Sequence, residues 1–442
     1  MKEIKNIIKS LSSKNIQILL DDSGENLRVI GDTSSLTEQD KVHISENKGE
    51  LIKLLKVSEN SNKKDFQLIE PIPESDNYAV SAGQNRLWTL SQFEGGSEVY
   101  NMPFQVDLHG VYDVTCFSRA IEATLNRHEI LRTVFKLNES GEVRQYICSS
   151  ESLGFEIDYK DFRSFDDKES RVASYIKNDT YQPFDLSDGP LFRASLLQLS
   201  NDHYVFYYNM HHIICDGWSI DVLSKNVLSF YESFEKGEAS KLSDLPIQYK
   251  DYAAWQLSQL EEASSDIDKT YWLDTLSGEL PVLDLPTSSL RPSVKTNNGH
   301  TLRMYVSKAT TTSLKAFCSE QKGSLFMGLL SVCNILFHKY TSDQDIIIGT
   351  PVAGRDHPDL VDQIGFYINT LALRNHLDPE ENFISVYDNV KETTLASYSH
   401  QMYPFDRLVE DLDFKRDIGR SAIFDMMLAL QNAGSGVSDF EV

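Results

Sequence analysis

Apolar segments typical of buried strands alternate with segments of helical periodicity from residue 76 onwards. Two strand-like segments run from His203 to Met210 and from Asp345 to Gly349, and two helical patterns cover residues 113–126 and 223–234. Nearly continuous apolar strands are buried on both faces, which requires helices to cover the sheet. The alternation extends over about 365 residues, more than one simple core can organise, so it predicts an α/β architecture with two lobes.

Residues 1–60 show a different and more compact pattern. Their segments predict a helix, a β-hairpin with a Gly-containing turn and two further helices. These segments are residues 2–12, residues 16–20 with 26–30, a helix opened by a capping box at Ser35 to Glu38, and a helix marked by Leu51, Leu54 and Leu55. A polar segment at residues 61–75 follows and contains two prolines, so it predicts a linker between this head and the α/β body.

The net charge is distributed unevenly along the 442 residues. The whole chain carries −24, whereas residues 1–60 hold nine basic and ten acidic side chains and so carry only −1. A near-neutral head on an acidic body predicts two independent units. The negative field of the body repels nucleic acid and anionic membranes, so neither is expected as a partner.

The composition favours a cytoplasmic protein. The sequence has no apolar run long enough to span a bilayer, and its N-terminus lacks the apolar core of a signal peptide. The cysteines are scattered without metal-ligand or redox spacing, which is typical of free thiols in a reducing compartment. They are Cys116, Cys148, Cys215, Cys318 and Cys333.

Residues 209–219 carry the side chains best suited to chemistry. They read Asn-Met-His-His-Ile-Ile-Cys-Asp-Gly-Trp-Ser and lie between a predicted strand and a predicted helix. Adjacent side chains point in opposite directions on an extended chain, so only one of His211 and His212 can face a cleft. His212 could then act as a base near neutral pH. A turn follows at Asp216, and Gly217 lets a ligand approach the backbone without a Cβ in the way.

Other interpretations of this segment stay open from the residues alone. A histidine at a strand end is more often structural, so structural and catalytic roles for His212 are about equally supported. Two histidines and Asp216 could suggest a metal site, but the adjacent side chains diverge and no HExxH or CxxC motif supports one. A serine hydrolase needs a nucleophile elbow, and no Gly-x-Ser-x-Gly occurs.

Seven motifs, in order, resemble those of the condensation-domain superfamily of non-ribosomal peptide synthetases. The stretch from His211 to Gly217 matches the HHxxxDG signature, and residues 81–88 resemble the opening motif, with Gly83 as a small departure. The other five are Arg127 to Phe135, Tyr249 to Trp255, Ile364 to Thr370, His400 to Asp406 and Arg416 to Phe424. Because the order is also that of the family, chance agreement is negligible.

The resemblance implies two chloramphenicol-acetyltransferase-like lobes in a V shape, at residues 76–245 and 246–442. A tunnel between them would receive a donor acyl or peptidyl thioester from one side and an acceptor aminoacyl thioester from the other. The acceptor amine would attack the donor carbonyl, and an amide would form. The resemblance implies no bound cofactor and no metal, because the 4'-phosphopantetheine of donor and acceptor carrier proteins holds both substrates. Family members usually continue beyond the seventh motif, so the second lobe is expected to be cut short or incomplete at Val442.

The resemblance also assigns roles to the site residues. His212 is the active-site histidine, which acts either as a base for the amine or as a group that positions and stabilises the tetrahedral species. Gly217 offers a backbone N–H to the oxyanion or the donor, and His211 is structural. Asp216 is structural as well and pairs with an arginine, for which Arg355 is the candidate. The alternative for Arg355 is a solvated surface position.

Departures from related families favour a condensation enzyme that joins two L-configured residues, the LCL type. Epimerisation domains usually read DGxSW, whereas the order here is Asp216-Gly-Trp-Ser219, and Tyr100 to Pro103 resembles LCL domains. The extended N-terminal His motif of dual epimerisation/condensation domains and the DFGWG signature of plant acyltransferases are both absent. Two rival hypotheses are an epimerase or hydrolytic variant of the same fold, and a catalytically silent docking scaffold.

A second resemblance rests on four short segments of the head: Asn15 to Ile18, Asn26 to Val29, Leu36 to Glu38 and Lys48 to Leu55. Through these segments, residues 1–60 resemble the TubC-type N-terminal docking domain, whose elements follow the order α-β-β-α-α. A two-stranded hairpin has open edges, to which a third strand can add. The resemblance implies that this third strand is the C-terminal tail of an upstream synthetase subunit. Leu27, Arg28 and Val29 are the expected contacts with that tail. The alternative is a solubilising helical cap that has no partner.

Overall fold

The structure is a computed structural model, and it describes most of the chain. The described residues are 16–20, 27–31, 37–49, 51, 68–93, 96–287, 291–293, 296, 298–412, 419–431 and 440–441. The strands are β1 (Ile16–Leu20), β2 (Leu27–Gly31), β3 (Tyr78–Ala79), β4 (Asn101–His109), β5 (Thr133–Leu137), β6 (Val143–Ile147), β7 (Asp158–Asp161), β8 (Phe192–Gln198), β9 (His203–His211), β10 (Asp345–Val352), β11 (Asn369–His376), β12 (Met426–Met427) and β13 (Phe440–Glu441). The helices are α1 (Glu38–Glu46), α2 (Ala82–Ser91), α3 (Val114–Arg127), α4 (Ser150–Leu153), α5 (Lys168–Thr180), α6 (Gly217–Lys236), α7 (Tyr249–Glu261), α8 (Ala263–Thr275), α9 (Lys308–Glu320), α10 (Leu325–Thr341), α11 (Phe383–Ser399) and α12 (Phe405–Asp411).

The predicted hairpin of the head is confirmed. Strands β1 and β2 pair antiparallel, with Ile16 opposite Gly31 and Leu20 opposite Leu27. The predicted helix at residues 2–12, the turn at residues 21–25 and the third helix beyond Leu51 lie outside the described residues.

The predicted start of the second helix is wrong by two residues. Helix α1 begins at Glu38, and its N-cap is Thr37 rather than Ser35. The Asp40 backbone N–H donates to the Thr37 hydroxyl at 3.2 Å, and the Thr37 N–H donates to the Asp40 carboxylate at 2.8 Å. Two sequences with capping-box spacing overlap here, and the one that starts at Thr37 forms the reciprocal pair of hydrogen bonds.

A five-stranded sheet in the order β13-β4-β9-β8-β7 forms the centre of the first half of the body. Side chains of β9 alternate between its two faces, as the pleat of a strand requires. Tyr204, Phe206 and Tyr208 pack with helices α3 and α6, whereas Val205 and Tyr207 pack with α5 on the other side. The sheet is therefore buried on both faces, as the apolar run from His203 to Met210 predicted.

A second core surrounds the three-stranded sheet β11-β10-β12. Its buried residues include Ile346 to Ile348 of β10 and Leu371 to Leu373 of β11. Helices α8, α10, α11 and α12 contribute Trp272, Leu330, Val390 and Leu408, among others. A smaller sheet, β3-β6-β5, lies beside the first core.

The segment between β10 and β11 connects the two cores. Leu360, Ile364 and Tyr367 of this segment are buried in the first core, although both strands that flank it belong to the second. Tyr249 and Tyr252 of α7 are also part of the first core. The lobe boundary at residues 245 and 246 therefore stays a prediction, since residues from both sides of it build the first core.

Three global properties bear on function. No helix among the described residues is long and apolar enough to cross a membrane. Within the same residues, no group of three or more histidine, cysteine or acidic side chains could hold a metal ion. The five cysteines are free thiols.

Candidate active site

The predicted motif lies where β9 of the first core leads into α6. Strand β9 ends at His211, a short 3-10 turn covers His212–Ile214, and α6 begins at Gly217. The turn that the sequence suggested at Asp216 is the N-terminus of α6, where Asp216 is the N-cap residue. The histidines, the aspartate and the glycine are thus positioned by a strand end and a helix start, both of which are anchored in the core.

His211 is fully buried and has the environment of a structural residue. Its Nδ1 atom accepts a hydrogen bond from the backbone N–H of Ile213 at 3.1 Å, so the ring hydrogen lies on Nε2. The rings of Tyr100 and Phe184 lie 6.2 Å from the imidazole, measured between ring centroids. Burial, followed by the charge of His212, lowers the pKa of His211 to about 3. The side chain of His211 is therefore neutral at pH values near 7.

His212 is half-buried and is held in a defined tautomer. Its Nδ1 atom lies 2.7 Å from the carbonyl oxygen of Cys215. A carbonyl can only accept, so Nδ1 must carry the hydrogen and Nε2 holds the free lone pair. The ring of Phe366 is nearly perpendicular to that of His212, with the two centroids 5.0 Å apart. In the described part of the chain Nε2 has no hydrogen-bonding partner, so it can accept a proton from a ligand.

Asp216 and Arg355 form a buried ion pair. Nη2 of Arg355 donates to both carboxylate oxygens of Asp216, at 2.9 and 3.2 Å. The carboxylate also accepts from the Ser219 N–H at 2.9 Å and from the Tyr367 N–H at 3.1 Å, and the Ser219 hydroxyl lies within 2.8 Å. Every lone-pair direction of the carboxylate is thereby engaged. Asp216 consequently cannot act as a base without the loss of these bonds.

Arg355 also holds the connecting segment in place. Its Nη1 atom donates to the carbonyls of Leu360 and Gln363, at 2.5 and 2.8 Å. Its guanidinium carbon lies 4.2 Å from the centroid of the Tyr367 ring. Arg355 is buried, so it is not the solvated surface arginine of the alternative interpretation. One side chain thus ties the start of α6 to the segment between β10 and β11.

Gly217 is exposed at the N-terminus of α6. A Cβ atom placed on it would meet no atom within 4 Å, and its backbone φ is not in the left-handed region. The fold itself therefore does not require glycine at this position. The N–H of Ser219 is capped by Asp216, whereas the N–H of Gly217 has no acceptor among the described residues. This free N–H lies at the positive end of the dipole of a 20-residue helix.

Three further residues of the site were not predicted from the sequence. Ser219 and Tyr367 complete the shell around Asp216. Phe366 lies between His212 and α2, where a Cβ on Gly83 would come within 2.5 Å of its ring. The glycine at position 83 is therefore explained by the space that the Phe366 ring occupies. Phe366 and Tyr367 both occur in the fifth of the seven motifs, which was the available signal.

A family model described as "Condensation domain" matches residues 74–440. The chain belongs to the condensation domain family. It is 36% identical over 367 residues, 83% of its length, to gramicidin S synthase 2 of Aneurinibacillus migulanus, and 38% identical over 384 residues, 87% of its length, to surfactin synthase subunit 1 of Bacillus subtilis (strain 168). These alignments span 8% and 10% of the two relatives. The chain is thus a condensation domain of the type found in non-ribosomal peptide synthetases.

Solved structures support the fold of this condensation domain. The X-domain from teicoplanin biosynthesis superposes with a TM-score of 0.73 over 82% of this chain and 79% of that one, at 22% identity. Identity this low shows the fold alone. The mixed α/β fold predicted from the sequence is confirmed.

The predicted docking residues lie in the head and do not belong to the site around His212. Leu27, Arg28 and Val29 lie in β2 opposite Leu20, Leu19 and Ile18. Among the strands that the structure describes, β1 and β2 pair only with each other. Each therefore has one edge that no other described strand occupies, where a further strand can add.

Proposed function

We propose that the chain joins a donor acyl or peptidyl thioester to the amine of an acceptor aminoacyl thioester. Both substrates would be held on the 4'-phosphopantetheine of carrier proteins. The observation that carries this proposal is the tautomer of His212, whose Nδ1–H is fixed by the Cys215 carbonyl while Nε2 has a free lone pair. A fixed acceptor of protons, together with a backbone N–H that has no acceptor among the described residues, is what attack of an amine on a thioester needs.

The atoms of this reaction balance without any other reactant. The acceptor amine forms a C–N bond to the donor carbonyl carbon, and the C–S bond to the donor carrier breaks. Nε2 of His212 takes the proton that the nitrogen loses and returns it to the departing thiolate. The products are an amide on the acceptor carrier and a free thiol on the donor carrier.

The start of α6 would stabilise the charge that develops on the donor carbonyl oxygen. The Gly217 N–H has no protein acceptor among the described residues, and the space where a Cβ would lie is open. Hydrogen-bond donors aimed at a developing oxyanion are worth several kcal/mol of the barrier, about 2.7–4 for one donor. Gly217 therefore serves as an oxyanion donor in this proposal.

Asp216 and Arg355 would affect the reaction only by holding other parts of the site in place. Their ion pair fixes the N-terminus of α6 against the connecting segment, and this segment places Phe366 against the ring of His212. Holding two tethered substrates in line contributes to the rate acceleration, because the reacting groups no longer have to meet by diffusion in the right orientation. The same ion pair makes the site depend on both cores.

The sequence and the relatives support the proposed substrates and partners. The order Asp216-Gly-Trp-Ser219 and the segment from Tyr100 to Pro103 support joining of two L-configured residues. Because the chain spans at most a tenth of the two relatives described above, carriers and an upstream synthetase would be separate partners or other parts of a longer protein. The TubC-like head would bind, at β2, the C-terminal tail of that upstream synthetase.

The test is a reconstituted condensation. One carrier protein is loaded with an L-aminoacyl donor and a second with an L-aminoacyl acceptor, and mass spectrometry follows each pantetheine arm. A dipeptide on the acceptor carrier, formed by wild type but not by His212→Ala, supports the proposal. A free donor acid without a dipeptide indicates the hydrolytic variant, and inversion of an α-carbon without chain growth indicates the epimerase. An inert wild type that still binds carriers indicates the silent scaffold.

A further inference from the structure

An ion pair joins the two cores at α2 and α12. Nη1 of Arg86 lies 3.1 Å from Oδ1 of Asp406. Helix α2 is anchored in the first core by Leu87, and α12 is anchored in the second core by Phe405 and Leu408. This contact therefore connects the two cores directly.

The ion pair lies close to the candidate active site. Gly83 of α2 contacts Phe366, whose ring packs against that of His212. Arg86 follows three residues later, which is about 4.5 Å along the helix axis. Along α2, Arg86 is thus about one turn from Gly83, the residue that contacts Phe366.

Tyr100 links the pair to the other histidine. Its ring is 6.2 Å from that of His211. Burial raises the pKa of Tyr100, and its hydroxyl is close enough to the pair for Arg86 to oppose this shift and for Asp406 to add to it. Tyr100 therefore lies next to His211 and within electrostatic range of the Arg86–Asp406 pair.

Asp406 is largely enclosed by protein but keeps some contact with solvent. Surrounding protein raises the pKa of its carboxyl to about 6, although Arg86 opposes the shift and Glu410 adds to it. The side chain is nevertheless 21% exposed, and that of Arg86 is 42% exposed. The other charged groups along α12 have partners of their own: Arg407 pairs with Glu410, and Asp411 pairs with Lys269.

We propose that Arg86 and Asp406 are positioning residues, which clamp α12 against α2 and so fix the width of the space between the two cores beside His212. The Asp216–Arg355 pair and the connecting segment already join the cores at the start of α6. A second contact at another place restricts rotation of one core about the first contact. The clamp itself is a property of the fold, and its effect on turnover rests on the proposed amide-forming function.

The second core offers a matched control. Lys269 of α8 and Asp411 of α12 form an ion pair at 2.8 Å, with side chains 39% and 25% exposed. It resembles the Arg86–Asp406 pair in exposure and involves the same helix α12. It differs in that both partners belong to elements of the second core. Arg86→Gln and Lys269→Gln therefore remove similar charges, but only the first opens a contact between the cores.

The experiment measures distance and turnover on the full chain. Spin labels are attached through genetically encoded azido residues at the exposed positions Glu122 of α3 and Glu392 of α11, one on each core. Double electron–electron resonance then gives the distribution of distances without substrate. We expect Arg86→Gln and Asp406→Asn to broaden it and shift it to longer values, whereas Lys269→Gln leaves it as in wild type. The charge swap Arg86→Asp with Asp406→Arg is expected to restore the narrow distribution.

Turnover is measured on the same proteins with loaded carriers. We expect kcat to fall about tenfold in Arg86→Gln and to stay within about twofold in Lys269→Gln, because only the first loosens substrate alignment. The swap is expected to recover most of the loss, which excludes poor folding as its cause. Unchanged distances in Arg86→Gln overturn the clamp, and changed distances with unchanged kcat overturn its positioning role. An inactive wild type would refute the proposed function, while the distances would still decide on the clamp.

Discussion

Arg355 donates from Nη2 to both carboxylate oxygens of Asp216, which lies 139 residues earlier in the chain. The two side chains are almost fully buried, at 2% and 3% exposure. Burying two charges is costly, and the cost is offset only while both are present and fully hydrogen-bonded. The pair therefore makes the start of α6 and the connecting segment depend on each other.

The first prediction concerns this pair. Asp216→Ala and Arg355→Ala should each lower the free energy of unfolding by about 3–5 kcal/mol, because each leaves an uncompensated buried charge. Urea unfolding followed by circular dichroism measures the loss. Arg171→Ala, which removes an exposed pair with Asp167 on α5, should have a far smaller effect. A loss in Asp216→Ala alone would show that Arg355 contributes nothing to stability.

The second prediction concerns His212. His212→Ala should lower the rate of dipeptide formation by at least about a hundredfold, which is the low end of the contribution of a general base. The fold should persist, because the side chain is only half-buried. Mass spectrometry of the acceptor arm gives the rate, and the thermal unfolding midpoint reports the fold. Near-normal turnover of a folded His212→Ala protein would refute the assignment.

The third prediction separates the function of Gly217 from its backbone. Gly217→Ala should leave stability unchanged or slightly raised, because alanine suits a helix better than glycine and the added Cβ meets no atom. Turnover should fall about tenfold or more, since the methyl group would fill the space in which we propose that the donor binds.

Gly237 provides the opposite control at the other end of α6. Its φ of 67° is in the left-handed region, so Gly237→Ala should cost about 1 kcal/mol of stability and leave turnover intact. The pair of variants is compared by unfolding and by the condensation assay. A Gly217→Ala protein with full turnover would exclude Gly217 from the donor site.

The fourth prediction is an acid dependence of stability that His211 causes. The pKa of His211 in the folded state is about 3, below its ordinary value of 6.5, because the ring is buried. The folded state thus binds fewer protons than the unfolded state below pH 6.5. The stability contribution is complete above pH 6.5 and is lost as the pH falls towards 3, by up to about 1.4 kcal/mol per pH unit.

Unfolding free energies of wild type and His211→Ala between pH 7 and pH 4 test this dependence. His211→Ala should be less stable than wild type at pH 7, because it leaves a cavity in the core. The difference between the two proteins should shrink as the pH falls. A constant difference would mean that His211 does not titrate with unfolding. Burial lowers the pKa of His128 to about 3 as well, so the variant should keep part of the acid dependence.

Local sequence patterns predicted the elements that carry the site, but not their neighbours. The order strand, His-His, Asp-Gly and helix is encoded within residues 203–236, and the structure has β9 and α6 there. Phe366 and Tyr367 were not predicted, because their contacts with His212 and Asp216 depend on how the segment between β10 and β11 crosses to the first core. No periodicity of a single segment contains that information. Ser219 is different, since it contacts Asp216 within the capping box of α6, three residues along the chain.

Arg355 and the head show two other limits of the sequence. Arg355 could be proposed only through resemblance, since a charge in a Gly-containing loop is equally suited to solvent. The register of the capping box was wrong because two overlapping sequences satisfy the same spacing, and only the geometry at Thr37 decides between them. Patterns thus predict that an element exists better than where it begins.

The last prediction concerns the head. A labelled, acidic C-terminal tail of an upstream synthetase should bind the full chain weakly, since one short strand buries little area and must be ordered on binding. Strand addition at β2 would use its backbone groups for affinity and the positive charge of Arg28 for selection of an acidic tail. Arg28→Glu should therefore weaken binding at low salt by about tenfold or more, whereas Lys41→Glu makes the same change of charge on α1 instead of β2 and should have little effect. Fluorescence anisotropy of the tail measures these affinities.

N-methylation of alternate backbone amides of the tail tests strand addition itself. It should abolish binding in one register and not in the other, because only every second amide of an added strand faces the sheet. Equal effects in both registers would exclude strand addition. Deletion of residues 1–60 should abolish tail binding and spare dipeptide formation at high carrier concentration, since no residue proposed for the site around His212 lies in the head.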